Sequence, residues 1–204
     1  MNEAAAAARP GLRERKKART RAAIREHALR LFKERGYEET TVDQIAEAAE
    51  VSPSTFFRYF PTKEDVVLQD DMDVLMARAF ESQPPGLSPV AAFRAAIREA
   101  LGSLSEDDLV SLRESAELSL TVPEVRARAM DEFARTITLM AQAEARRSGR
   151  DPDDAAVRNV VGAIIGVIMA ATMPWSEGGH ANVGPDMFAR IDAGLAHLEA
   201  GLPL

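Results

Sequence analysis

Helix punctuation recurs along the whole chain and no segment alternates apolar and polar residues with period two, so helices are the regular structure this sequence can build. Ser52-Pro53, Ser88-Pro89 and Asp151-Pro152 each offer a capping oxygen followed by a ring at the first helical position, where no amide hydrogen bond is lost. Thr41 with Gln44 spells a capping box. Gly36, Gly149 and Gly178 stand where a positive φ would close the preceding helix. The expectation is an all-α chain of nine helices, at 13–35, 42–49, 53–60, 63–81, 89–104, 106–120, 123–147, 152–173 and 185–200. The segment Ser82 to Leu87, with two prolines and a glycine, reads as a linker, Gly178 to Gly184 as a long loop, and the Ala run at 4–8 as a frayed arm.

Among 204 residues there is no cysteine, which excludes disulfides, thiolate metal sites and cysteine nucleophiles, and suits a cytoplasmic setting. The first twenty residues lack the apolar stretch of an export signal. Val160 to Trp175 is uncharged, but it falls short of the roughly 20 residues of a membrane span and ends at Pro174, so a buried helix is expected and no membrane partner. His27, His180 and His197 lie in separate segments without metal-ligand spacing. The acidic groups Glu106-Asp107-Asp108 and Asp151, Asp153, Asp154 suit first helical turns. No phosphate loop or nucleophile elbow is present, so no metal, cofactor or enzymatic activity is expected.

Charge divides unevenly. Residues 1–63 hold 13 Lys and Arg against 9 Asp and Glu, whereas the remainder holds 12 against 23. A basic end on an acidic body fits a polyanion contacted at one end. In the first helix Ile24, Ala28, Leu31 and Phe32 share a face, and Arg13, Arg15, Lys16, Lys17, Arg19, Arg21 and Arg25 crowd its start and outer side. Two short helices follow, separated by a tight turn and the second opened by Ser52-Pro53, which is the pattern of a helix-turn-helix. Its second helix would enter the major groove, with Pro53, Ser54, Thr55 and Arg58 toward the bases and the Tyr59 hydroxyl and Lys63 toward phosphates. Phe56 and Phe60, spaced i and i+4, would face inward.

From Thr20-Arg21 through Ile24, Ala28, Phe32, Gly36, Thr41-Val42, Ile45-Ala46, Ala49, Val51-Ser52, Thr55-Phe56-Phe57 and Tyr59-Phe60 to Lys63-Glu64, the chain resembles the DNA-binding domain of TetR/AcrR regulators without a gap. The resemblance implies domains at 1–62 and 63–204, double-stranded operator DNA as a partner, a homodimer, and a small-molecule effector bound by the second domain. Ser54 stands where many members carry glycine, and Phe57 where many carry tyrosine, so phosphate contact falls to Tyr59 and Lys63, and Phe57 is left to meet a thymine methyl. Arg21, Thr41, Ser52 and Pro53 complete the expected DNA-contacting set. Val122-Pro123-Glu124-Val125-Arg126 and Gly149-Arg150-Asp151-Pro152 are similar to an actinobacterial branch linked to mycofactocin genes, which makes a lipid-like effector such as an acyl-CoA a candidate.

In the second domain Met76, Phe93, Met140, Met169 and Trp175 are the expected effector pocket, being bulky and adaptable residues on helices the resemblance places around a cavity. Gly162, Ala163, Gly166 and Ala170 permit close approach along the eighth helix, and Ile191, Leu195 and Leu198 form an apolar stripe on the ninth. Paired across a two-fold axis they would build a four-helix bundle. A ligand-released repressor is the leading expectation. The alternatives are a ligand-independent regulator or activator, and a helical binding protein or enzyme with a vestigial helix-turn-helix.

Overall fold

The computed structural model describes residues 11–68, 70–173 and 186–203, and all regular structure among them is helical. The Ala run, the Gly178 to Gly184 segment, His180 and Trp175 lie outside the described residues. The chain forms two compact units that part between Val66 and Val67.

The first unit contains α1 (Leu12–Arg35), α2 (Val42–Ala48), α3 (Pro53–Tyr59) and most of α4 (Glu64–Val67). Ile24, Ala28, Phe32, Ile45, Ala46, Phe56 and Phe60 are all buried and form its core. Thr41 and Gln44 make the expected reciprocal cap on α2. At the other end of α2 the Val51 amide donates to the Ala46 carbonyl and the Glu50 amide to that of Glu47, a Schellman closure that holds Glu50 at φ 54°. This closure is the turn of the helix-turn-helix. Ser52 then caps α3 by accepting from the Thr55 amide, with Pro53 in the first turn.

The second unit is built from α5 (Asp70–Glu81), α6 (Pro89–Gly102), α7 (Glu106–Thr121), α8 (Pro123–Ser148), α9 (Ala155–Thr172) and α10 (Met187–Glu199). Its core joins Phe80 and Phe93, whose rings meet edge to face at 5.8 Å, to Met140, Ile164 and Leu195. Arg94 on α6 grips both carboxylate oxygens of Asp192 on α10 at 2.8 and 2.9 Å and reaches Glu199 at 3.0 Å. Gly194 lets α10 press on α9, because a Cβ there would lie 2.8 Å from Cγ1 of Val167.

Three expectations need correction. The helix expected over 63–81 is divided into α4 and α5 at Leu68, because Asp65, Val66, Val67 and Leu68 are all buried and four consecutive residues cannot share one helix face. Asp151-Pro152 opens a turn rather than a helix: the Asp151 carboxylate accepts from the Asp153 amide, and Asp154 caps α9 through the Ala156 amide. The stretch expected to be a buried helix is only partly so. Val157, Val161, Ile164 and Ile165 of α9 are buried, but Gly166 and Ala170 are exposed.

The 82–88 linker is fastened from α8. Arg147 donates to the carbonyls of Gln83, Pro84 and Leu87, pairs with Glu144 at 3.4 Å and lies 5.3 Å from the centre of the Phe80 ring. Both members of that ion pair have side chains only 6% exposed.

Candidate DNA-binding surface and effector chamber

α3 has two clearly different sides. Phe56 and Phe60 point into the core with exposures of 0% and 1%, their rings 5.9 Å apart, which fixes the rotation of the helix. Pro53, Ser54, Phe57 and Arg58, on the opposite side, are exposed, with Phe57 at 51%. Arg58 makes a 5.4 Å stacking contact with the half-buried Tyr59 ring and is otherwise directed outward.

Several residues expected to meet DNA make contacts within the unit. The Arg21 guanidinium donates to the Tyr59 carbonyl at 2.9 Å and lies 4.4 Å from the centre of the Phe60 ring, so it caps the C-terminus of α3. Arg25 donates to the Val66 carbonyl at 2.8 Å. The Lys63 ammonium donates to the carbonyls of Tyr37 and Thr40 at 2.9 and 3.2 Å and stands 4.0 Å over the Tyr37 ring. Two of its hydrogens are thus given to the loop after α1. Ser52 and Thr55 share the α3 cap, with their hydroxyl oxygens 3.0 Å apart. Thr41 is exposed and caps α2. Arg13, Arg15, Lys16, Lys17 and Arg19 are all exposed and form a cationic start to α1.

The loop after α1 carries an electrostatic network that sequence reasoning missed. Tyr37 donates to Glu64 at 2.7 Å. Burial pushes the Glu64 carboxyl up. The hydrogen bonds from Tyr37, its own backbone amide and Thr62, with Lys63 beside it, outweigh that and hold it below the ordinary carboxylate value. Thr62 and Asp65 cap each other's amides ahead of α4, a Thr-x-x-Asp signal readable in the sequence.

Within the second unit a cavity of about 370 Å³ lies among α5 to α10, walled by hydrocarbon. Met76, Phe93 and Met140 line it. Met169 lines an adjoining chamber of about 250 Å³ that shares Ala116, Phe133 and Ile168 with the first. Polar side chains of Asp73, Ser115, Ser119, Glu132 and Thr136 interrupt the main wall, and none of these was anticipated. The signal available was a polar residue three or four positions from a wall residue on the same helix, as Thr136 is from Phe133 and Met140. The expected apolar stripe of α10 is corrected. Ile191 and Leu195 are buried in the subunit's own core and Leu198 packs against it, because that stripe is what α10 lays on α6 and α9.

A family model described as bacterial regulatory proteins of the tetR family matches residues 24–69, and one described as the MftR C-terminal domain matches residues 87–203. The chain belongs to the TetR family. It is a DNA-binding transcription regulator with an N-terminal helix-turn-helix and a C-terminal helical domain. The HTH-type regulator TcmR of Streptomyces glaucescens is 47% identical over 102 residues, which span 49% of this chain and 45% of TcmR. MftR of Mycobacterium tuberculosis is 28% identical over 155 residues, 74% of this chain and 77% of MftR. Among solved structures, the Thermus thermophilus TetR-family repressor FadR in complex with lauroyl-CoA superposes with a TM-score of 0.52 at 28% identity, covering 90% of this chain and 95% of FadR.

Proposed function

We propose that this TetR-family regulator is a homodimeric, cytoplasmic repressor without enzymatic activity that leaves its operator when an apolar ligand fills the chamber of the second unit. The observation that carries the DNA half is the rotation of α3. Two buried phenylalanines fix it, which leaves Ser54, Phe57 and Arg58 exposed together on the opposite side. Arg58 reads guanine through two hydrogen bonds, Phe57 meets a thymine methyl, and the cations at the start of α1 supply sequence-independent attraction. The hydrocarbon wall of the chamber supports the ligand half, as does the lauroyl-CoA held by FadR. A lipid-like effector such as an acyl-CoA would place its chain against that wall.

For the dimer, α9 and α10 offer small residues at the surface. Gly166 and Ala170 are exposed with Gly162 half-buried in line with them, and Ala189 and Ala193 of α10 are exposed too. α9 is apolar enough, and long enough, to cross a membrane by composition alone, and only 22% of it is buried within the subunit. A second copy seated on this face would cover it.

Arg58→Ala should cost about 1–3 kcal/mol of operator affinity and relax base preference, whereas Lys63→Ala should lower the unfolding midpoint without changing the salt slope. Binding titrations at several salt concentrations distinguish the two. Unchanged affinity in Arg58→Ala would remove the reading-face assignment. Because coupling is reciprocal, operator DNA must weaken ligand binding by the factor that ligand weakens operator binding.

A further inference from the structure

α1 runs well past the core it helps to build. Its first buried residue is Ile24, and Gly11 to Arg19 are exposed throughout. The match to the tetR-family model also begins at residue 24, so about three turns of helix precede the part of α1 that the core requires. Leu12 to Arg19 holds five cations against one acid, Glu14. None of the five makes an ion pair or a side-chain hydrogen bond among the described residues. Their placement works against the helix. Gly11 supplies no side-chain cap, and Arg13, Arg15 and Lys16 stand near the positive end of the helix dipole, where cations are unfavourable. A local conflict with no gain inside the subunit marks a segment shaped by something outside it. The spacing shows what. The buried stripe Ile24, Ala28 and Leu31, by which α1 lies on α2, continues toward the N-terminus at the same steps of three and four residues as Thr20, Lys17 and Arg13. One stripe is thus apolar where the unit covers it and cationic where it projects. Thr20 is the half-buried crossover, and its hydroxyl donates to the Lys16 carbonyl at 3.1 Å. Arg21 marks the edge of the unit, because its guanidinium lies against the C-terminal end of α3. Lys17 and Arg13 stand about 6 and 12 Å farther along the axis. Lys16 and Glu14 flank the stripe, and Arg15 and Arg19 fall on the opposite side of the helix.

We propose that the projecting turns of α1 are a second DNA contact, in which Arg13 and Lys17 sit on the phosphate backbone beside the groove that α3 enters, while Arg15 and Arg19 stay in solvent. The proposal rests on the helix-turn-helix binding duplex DNA, and it assigns the contact to one face of α1 rather than to the diffuse charge of its first turns. Charge complementarity chooses the partner. Cations one helical turn apart, with no bulky apolar residue in their row, fit a regularly charged polyanion and give a lipid surface nothing to bury. Phosphates set there also cancel the positive charge that opposes the start of the helix, so the segment is better suited to the bound state than to the free one.

The test is fluorescence anisotropy of the full chain with a mixed-sequence DNA duplex over a series of salt concentrations. Binding to such a duplex is electrostatic, and its salt slope counts the phosphates neutralised. Arg13→Ala combined with Lys17→Ala should lower that slope by about 1.8 for each subunit engaged, roughly 0.9 per phosphate. Arg15→Ala combined with Arg19→Ala removes the same charge from the opposite side and should leave the slope unchanged. All four side chains are exposed, so both variants should keep the thermal midpoint of the wild type. Equal loss of slope in the two variants, or no loss in the first, overturns the proposal and leaves α3 as the reading helix, whose part is scored separately by the base preference of Arg58→Ala. A wild-type chain that does not bind the duplex overturns both.

Discussion

Replacing Gly166 with alanine gives opposite results in an isolated subunit and in a dimer built on α9. A Cβ at Gly166 meets nothing within 4 Å in the subunit, so within it the substitution only removes the helix-interior penalty of glycine, about 0.8–1.0 kcal/mol. If a second copy lies against this face, the same methyl group enters a close-packed contact, where overpacking costs about 1–3 kcal/mol. A two-fold axis presents the intrusion twice, so association of two folded subunits loses roughly 2–6 kcal/mol, while the helix gain is the same in free and paired subunits and cancels. The expected result is a dissociation constant raised by about thirty-fold at the lower end of that range. Sedimentation equilibrium over a range of concentrations reads the dissociation constant, and the concentration dependence of the thermal midpoint reports it independently. Gly162→Ala, also open in the subunit, should behave in the same way. A variant that melts higher than wild type and dimerises as tightly would refute the placement of the interface on this face.

Glu50 occupies the left-handed region in the turn between α2 and α3, so Glu50→Gly should raise stability by about 1 kcal/mol in denaturant titration, and a loss would show that its side chain matters more than its backbone. Arg147→Met should destabilise by about 3–5 kcal/mol, because Glu144 is left charged and buried and three linker carbonyls lose their donor. Asp192 is held below its ordinary value of 3.8 by the Arg94 hydrogen bonds. The stability it contributes is therefore fully present above that value and fades as pH falls through the lower folded one. Its side chain is 40% exposed, so Asp192→Asn should cost only about 0.5–1 kcal/mol at neutral pH, with the variant and wild type converging in acid. A gap that persists below the carboxylate range would assign the effect to packing.

What the sequence made legible was local. Thr41 with Gln44 and Ser52 with Pro53 could be read because cap and partner lie within one turn, and the inward pair Phe56 and Phe60 because helical spacing alone sets it. Asp151 reads as a cap as well as Asp154, which has the same chemistry three residues later, and only the backbone shows which one begins the helix. The intra-unit contacts of Arg21 and Lys63 are not legible, because their acceptors, the carbonyls of Tyr59, Tyr37 and Thr40, are supplied by the tertiary fold and leave no trace in residue type. The α10 stripe was visible, but an apolar stripe does not say whether it faces its own subunit or another.

The apolar face of α9 bears on how much regulator a cell must hold. If a second copy covers it, a subunit that has just left the ribosome carries that face uncovered until the two meet, and during that interval it is open to chaperones, proteases and clumping. Partnering removes the liability by mass action, so survival of each chain depends on how many others are present. Synthesis below that threshold would be wasted through turnover, and synthesis above it would accumulate. The same small residues that allow two helices to meet would thus set a minimum dosage for control, and a strain expressing the gene weakly would lose regulation abruptly rather than in proportion.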